Sequence, residues 1–342
     1  MRHARALPLP RRGLLAAGGA AGLGALVTAC GGKGGSGSGG DGEGGGSWSF
    51  TDDRKQKITL DSRPQHIVAY IGSAAALHDF GIDQQITGVF GPTTLKNGTP
   101  DVQAGDLPVD KVTSLGQTWG QFNVEKYASL GPDLLITNMY DPGALFYLPD
   151  DSKKKILALA RSAAITTGRV SMLEPIKRYA ALAESLGADL KAKKVTDAKA
   201  RFEKASETLR KTVTSHRMKV MACSASADLF YVSNPKINAD LIYFSELGVD
   251  FVVPEKPDKG GYFESLSWEN ADKYGADVLF LDNRTATLQP KALTAKPTWA
   301  KLPAVKAGQI APWSSEPRFS YAGAAPLVES LTKAIQDAKK VS

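Results

Sequence analysis

From about Leu190 to Ser215 the chain contains neither glycine nor proline. Val195, Ala198, Phe202, Ala205, Leu209 and Val213 recur there at the spacing of one helix face, and Lys, Arg and Glu fill the other faces. At about 1.5 Å per residue, such a helix spans some 35 Å. Short β-type runs alternate with helical ones on both sides of it, and none falls inside it. One rigid helix between two α/β halves is an uncommon architecture.

Before the helix, β-type runs fall at His66–Ile71, Gln85–Phe90, Asp133–Asn138 and Ile165–Val170. After it come Lys219–Ser224, Phe230–Ser233, Val249–Pro254, Val278–Asp282 and Gln309–Trp313. Helical stretches such as Ala74–Phe80, Val124–Leu130 and Ser152–Arg161 lie between them. This alternation argues for parallel sheets. Of the 342 residues, about 295 follow the amino-terminal 47, more than a single core comfortably organises. The expected organisation is an α/β lobe over residues 48–189, a linking helix over 190–215 and a second α/β lobe over 216–342. Only one cysteine, Cys223, falls in this part, which excludes an internal disulfide. Its place in the strand-like Lys219–Cys223 reads as a buried packing residue.

The amino terminus carries a different signal. Arg2, Arg5, Arg11 and Arg12 precede an uncharged stretch, Gly13–Ala29, rich in Gly, Ala and Leu. It is short and weakly apolar for a lasting membrane span, which takes about 20 strongly apolar residues. Residues 1–29 therefore read as an export signal. Val27-Thr28-Ala29-Cys30 resembles the lipobox of bacterial lipoproteins, and the resemblance implies cleavage before Cys30 and a lipid on its sulfur. Residues 30–47 would then be the lipidated cysteine and a Gly/Ser tether. Pro10–Leu15 is also similar to a twin-arginine export signal, without the usual serine before the arginines. The signal holds four arginines and no acid, so its removal lowers the formal net charge from +7 to +3. No Lys/Arg-rich block with interleaved aromatics appears, which argues against nucleic-acid binding.

Five segments in order carry a further resemblance: "FTDDRKQKITLDSRPQHIVAY" (Phe50–Tyr70), "LHDFGIDQQITGVFG" (Leu77–Gly91), "LGQTWGQFNVEKYASLGPDLLIT" (Leu115–Thr137), "FESLSWENADKYGADVLFLD" (Phe263–Asp282) and "WAKLPAVKAGQIAPW" (Trp299–Trp313). Together the chain resembles the substrate-binding lipoproteins of iron–siderophore ABC transporters. The resemblance implies a class III periplasmic binding protein: two Rossmann-like lobes with mainly parallel sheets, joined by one long rigid helix. It also implies capture of a ferric siderophore between the lobes and delivery to an ABC permease. The expected place is the extracytoplasmic face of a bacterial cell membrane, with the protein a lipid-anchored monomer.

Glu125 and Glu269 match the acidic residue that each lobe of this family presents to the permease, where one charge per lobe orients the seated protein. Ala74-Ala75-Ala76 stands where many members have a Thr-Glu pair, which leaves Glu125 as the first lobe's match. Ligand contacts are expected after the carboxyl ends of the strands. In the first lobe these are Trp119, Tyr140, Phe146 and Tyr147. In the second they are Tyr231, Tyr262, Phe263, Arg284, Trp313, Arg318 and Phe319, with Tyr321 nearby. Trp48, Phe50, Tyr70 and Trp299 read as structural.

Aromatics outnumber basic residues at these positions, and Asp141–Tyr147 holds no basic residue. That favours a hydroxamate complex of the linear ferrioxamine kind over a polyanionic catecholate. Hydroxamate-binding members of the family place an Arg before the first docking glutamate; here Gln117 and Trp119 stand instead. Haem, cobalamin and ferric citrate are the alternatives on the same scaffold. His66, His78 and His216 lie in separate elements without ligand spacing, so iron is expected only inside its own chelator, with no other cofactor. No G-x-S-x-G, H-E-x-x-H or phosphate-loop motif is present, which leaves an anchored enzyme without a nucleophile or base. The single helix predicts lobe rotation of only a few degrees, with movement in the loops Asp141–Tyr147 and Asp258–Tyr262.

Overall fold

The computed structural model describes residues 46–342. The expectations for the export signal, Cys30 and most of the tether fall outside the described residues.

The first lobe opens with a hairpin, β1 (Trp48–Thr51) and β2 (Lys57–Leu60), in which Trp48 faces Leu60. Asp52 at its turn accepts from Arg54 Nε (2.6 Å) and from the backbone N–H of Ala164 (3.1 Å), which pins the hairpin to the lobe. There follow β3 (Ile67–Tyr70), α1 (Ile71–Asp79), β4 (Ile86–Phe90), β5 (Thr113–Ser114), α2 (Val124–Ser129), β6 (Leu134–Met139), α3 (Lys153–Leu159), β7 (Arg161–Thr166) and α4 (Leu173–Ser185). The five strands from β3 to β7 form a parallel sheet in the order β5-β4-β3-β6-β7. β3 and β6 are buried along their whole length, as expected for central parallel strands covered by helices on both faces.

The link is α5 (Lys193–Ser215), 23 residues long. The second lobe contains β8 (Lys219–Ala225), β9 (Leu229–Ser233), α6 (Ala239–Glu246), β10 (Asp250–Phe251), β11 (Phe263–Ser267) and β12 (Val278–Asp282). Three short helices, α7 (Pro290–Leu293), α8 (Pro297–Lys301) and α9 (Pro303–Lys306), then lead into β13 (Ile310–Trp313) and α10 (Tyr321–Asp337). The sheet order is β11-β9-β8-β12-β13, with β10 paired to the start of β8. β8, β10, β12 and β13 are parallel, whereas β9 runs antiparallel to both β8 and β11. This second sheet is therefore mixed, and its antiparallel edge carries part of the site.

The link is braced against the second lobe. Val195, Phe202, Ala205 and Leu209 are buried, and the Phe202 ring stacks on Tyr243 at 5.5 Å. Burying a Phe side chain is worth about 1.5–3 kcal/mol. Arg201 pairs with Glu329 (2.6 Å), and Gln336 Nε2 donates to Thr212 Oγ1 (3.0 Å), so α5 lies along α10. At the foot of α10, Ser320 caps the helix by accepting from the Gly323 N–H (2.9 Å) and donates to Asp79 Oδ2 in the first lobe (2.5 Å). Cys223 is fully buried, and burial pushes its thiol pKa up, so it packs as an inert side chain.

Candidate ligand cleft

The carboxyl ends of the strands in both lobes open onto one cleft of about 450 Å³, within the range of about 300–1,000 Å³ for small-molecule sites. β6 leads into Tyr140, Asp141, Leu145 and Phe146; the hairpin edge at β11 supplies Tyr262 and Phe263; β12 leads to Arg284, and β13 to Ser315 and Glu316. A larger hollow, about 600 Å³, lies at the amino end of β13 against α10, away from these strand ends and on one lobe alone.

One wall is aromatic. The Phe146 ring meets Tyr140 at 4.6 Å, Tyr70 at 5.2 Å, and Trp119 and Tyr147 at 5.3 Å. Trp119 is 62% exposed at the rim, with its ring edge-on to Phe146 and Tyr147. Tyr147 holds φ at +64°, a left-handed backbone that costs an aromatic residue on the order of 1–2 kcal/mol. That conformation turns its ring onto both Trp119 (5.0 Å) and Tyr70 (5.5 Å).

The floor is polar. Arg284 Nη2 donates to Asp282 Oδ2 (2.7 Å), its Nε reaches both Asp282 oxygens at 3.1 Å, and its Nη1 donates to Glu316 Oε1. Glu316 Oε2 accepts from the first lobe, from Tyr70 Oη (2.7 Å) and from Gln103 Nε2. Burial drives the Tyr140 phenol pKa well up, and the Glu316 charge adds to it, so Tyr140 remains a neutral donor. Its buried Oη has no hydrogen-bond partner among the described residues, and neither has Ser315 Oγ. Both residues line the cleft, one from each lobe, although these two oxygens are themselves buried.

The lobes also touch above the floor. Tyr262 Oη donates to the Tyr140 carbonyl (2.8 Å), and Arg169 Nη2 reaches the Gly260 carbonyl (2.5 Å) and Asp141 (2.8 Å). Gly168 permits this contact: a Cβ there would lie 2.4 Å from the Tyr140 oxygen and 2.6 Å from Tyr262 Oη.

Of the residues expected from sequence to contact a ligand, Trp119, Tyr140, Phe146, Tyr262, Phe263 and Arg284 line the cleft, and Tyr147 stacks behind Trp119. Four do not. Trp313 is 0% and Phe319 1% exposed; Trp313 packs on Phe280 and donates its indole N–H to Asp240, so neither offers a surface. Arg318 turns away to Asp79 at the foot of α10 (3.3 Å). Tyr231 meets the site only through the Phe263 ring, 6.2 Å away. Sequence reasoning missed Ser315 and Glu316, although they stand directly after β13, where it expected contacts; its search favoured aromatics and arginines.

Glu125 is exposed in the first turn of α2, whose cap Asn123 accepts from the Lys126 N–H (2.8 Å). Glu269 is exposed in the turn after β11, where its own backbone N–H and the Ser267 hydroxyl lower its carboxyl pKa. Neither forms an ion pair with another described residue. Among the described residues, no group of three or more His, Cys, Asp or Glu is placed to hold a metal ion.

Residues 68–317 match the family described as periplasmic binding protein. The crystal structure of DesE, a ferric-siderophore receptor protein from Streptomyces coelicolor, is 54% identical, with a TM-score of 0.83 over 86% of this chain and 100% of that one. The petrobactin-binding protein YclQ from Bacillus subtilis (22% identity, TM-score 0.61, 85% and 98% covered) has the same fold. So does the catecholate-siderophore binding protein VctP from Vibrio cholerae (16%, 0.57, 85% and 99%). None of the curated proteins compared with the chain matches it.

Proposed function

The chain belongs to the periplasmic binding protein family, whose members are solute-binding proteins and not enzymes, and we propose that it captures a ferric siderophore of the hydroxamate type in the interlobe cleft. The observation that carries this reading is the state of Arg284. It is the one arginine lining the cleft among the described residues, two carboxylates already bind it, and the one lysine of the lining, Lys153, is offset formally by Asp150 beside it in the same lining. A polyanionic catecholate complex calls for free guanidinium or ammonium groups. A neutral or weakly cationic hydroxamate complex calls instead for apolar rings and a few hydroxyl donors. The Trp119–Phe146–Tyr147 wall supplies the rings, and Tyr140 and Ser315, which line the cleft from either lobe, carry the hydroxyls. The 54% identity to a ferric-siderophore receptor supports the same substrate class. Iron would arrive inside its chelator as cargo, with no cofactor in the protein.

Delivery is part of the proposal. Glu125 and Glu269 would seat the two lobes on the permease subunits, and the lipid on Cys30 would hold the monomeric protein at the extracytoplasmic face of the membrane. Titrating the purified protein with a linear ferric trihydroxamate, followed by tryptophan fluorescence, tests capture. Saturable quenching is expected, with most of it lost in Trp119→Phe because Trp119 is the exposed indole at the rim. The absence of saturable quenching and of any calorimetric signal would overturn the reading.

A further inference from the structure

We propose that Glu316 sets the charge preference of the cleft, admitting neutral and cationic complexes and excluding polyanionic ones. The inference rests on the hydroxamate reading above and names the residue that enforces it. The floor holds one guanidinium, Arg284, between two carboxylates, Asp282 and Glu316. Asp282 is fully buried and also accepts from Ser224 Oγ (3.0 Å). Glu316 meets only donors: the Tyr70 hydroxyl, the Gln103 amide and Arg284. Such an acceptor-only pattern is that of a carboxylate. The trio therefore carries a formal charge of −1.

The other charges around the cleft do not offset it. Asp141 is paired with Arg169 (2.8 Å), and Asp150 and Lys153 at the mouth cancel formally. Glu316 lines the cleft, so its uncompensated charge faces whatever enters. In partly screened surroundings a unit charge a few ångströms from a ligand changes its affinity by on the order of tenfold per ligand charge. A trianionic complex thus meets a penalty that a neutral complex escapes, and an ammonium tail gains. The position matters as well, because Glu316 receives donors from both lobes and is held there as they meet.

Glu316→Gln tests this. Glutamine keeps the length and an oxygen acceptor for Tyr70, and it removes one charge. Wild type and variant are each titrated with a neutral ferric trihydroxamate and a trianionic ferric tricatecholate, with circular dichroism as the check on folding. The preference for the trihydroxamate is expected to fall at least about tenfold in the variant, and by less at 1 M salt. An unchanged preference, with both ligands weakened equally or neither affected, would reduce Glu316 to a strut between the lobes and overturn the proposal. A second comparison needs only the wild type. A linear ferric trihydroxamate with a free terminal amine should bind several-fold tighter at low salt than its N-acetylated twin. Equal affinity, or tighter binding of the acetylated form, would overturn the proposal even if the variant failed to fold. Failure of the wild type to bind any ferric hydroxamate would instead overturn the hydroxamate reading.

Discussion

Asp240 sits fully buried in the first turn of α6, where the Trp313 indole donates to its Oδ2 at 2.5 Å. Burial lifts its carboxyl pKa to about 7, against the hydrogen bonds from Trp313 and the backbone, and the nearby charge of Asp282 adds to the rise. The native state then holds this proton more tightly than the unfolded chain does. The stabilisation is complete below the unfolded pKa, near 4, and is lost as the pH rises through 7, by up to about 1.4 kcal/mol per pH unit between the two values. The melting temperature should fall by several degrees from pH 5 to pH 7.5 in the wild type, and Asp240→Asn should flatten that slope. Parallel melting curves for the two proteins would contradict this. The same residue explains a misreading. Trp313 ends β13 and suggested a ligand contact, but alternation along Ile310–Trp313 turns it inward, where it donates to Asp240. Conversely, Tyr140 and Arg284 were legible because each stands within two residues of a strand's carboxyl end. Glu316 was not, since a lone acid in a loop gives no sign of the three side chains that hold it, Tyr70, Gln103 and Arg284.

Among the elements, α5 was the most legible, because 23 residues of uninterrupted helical spacing leave no rival state. β7 was less so. It begins at Arg161, before the strand expected at Ile165–Val170, and the expected helix Ser152–Arg161 ends at Leu159. Ala163 and Ala164 suit either state locally, and what decides is pairing of all six residues with β6. α10 carries a proline, Pro326, inside it. It sits at the sixth residue of the helix, where its missing N–H leaves the carbonyl four residues back without that partner. The loops flagged for movement, around Asp141 and Asp258–Tyr262, are the ones that meet across the cleft through Arg169, Gly260 and Tyr262. Their bonds to each other depend on packing between lobes, which no local pattern encodes.

At the scale of the molecule, α5 braced on α10 and the Ser320–Asp79 contact join the lobes at the foot of the cleft. Glu125 and Glu269 remain exposed, one on each lobe. Two separated charges can orient a docking protein without touching its ligand. Glu125→Ala with Glu269→Ala should therefore leave affinity for the ferric complex within about twofold of wild type while cellular uptake falls at least about tenfold. Normal uptake by the double variant would contradict a docking role. An aromatic cleft whose one arginine among the described residues is held by two acids should select for the charge class of its cargo. The most direct measurement is isothermal titration of the unmodified protein with a linear ferric trihydroxamate and a ferric tricatecholate side by side. A submicromolar Kd for the trihydroxamate, at least about 100-fold tighter than for the tricatecholate, is expected, a gap of roughly 2.8 kcal/mol. Equal or tighter binding of the tricatecholate would contradict it.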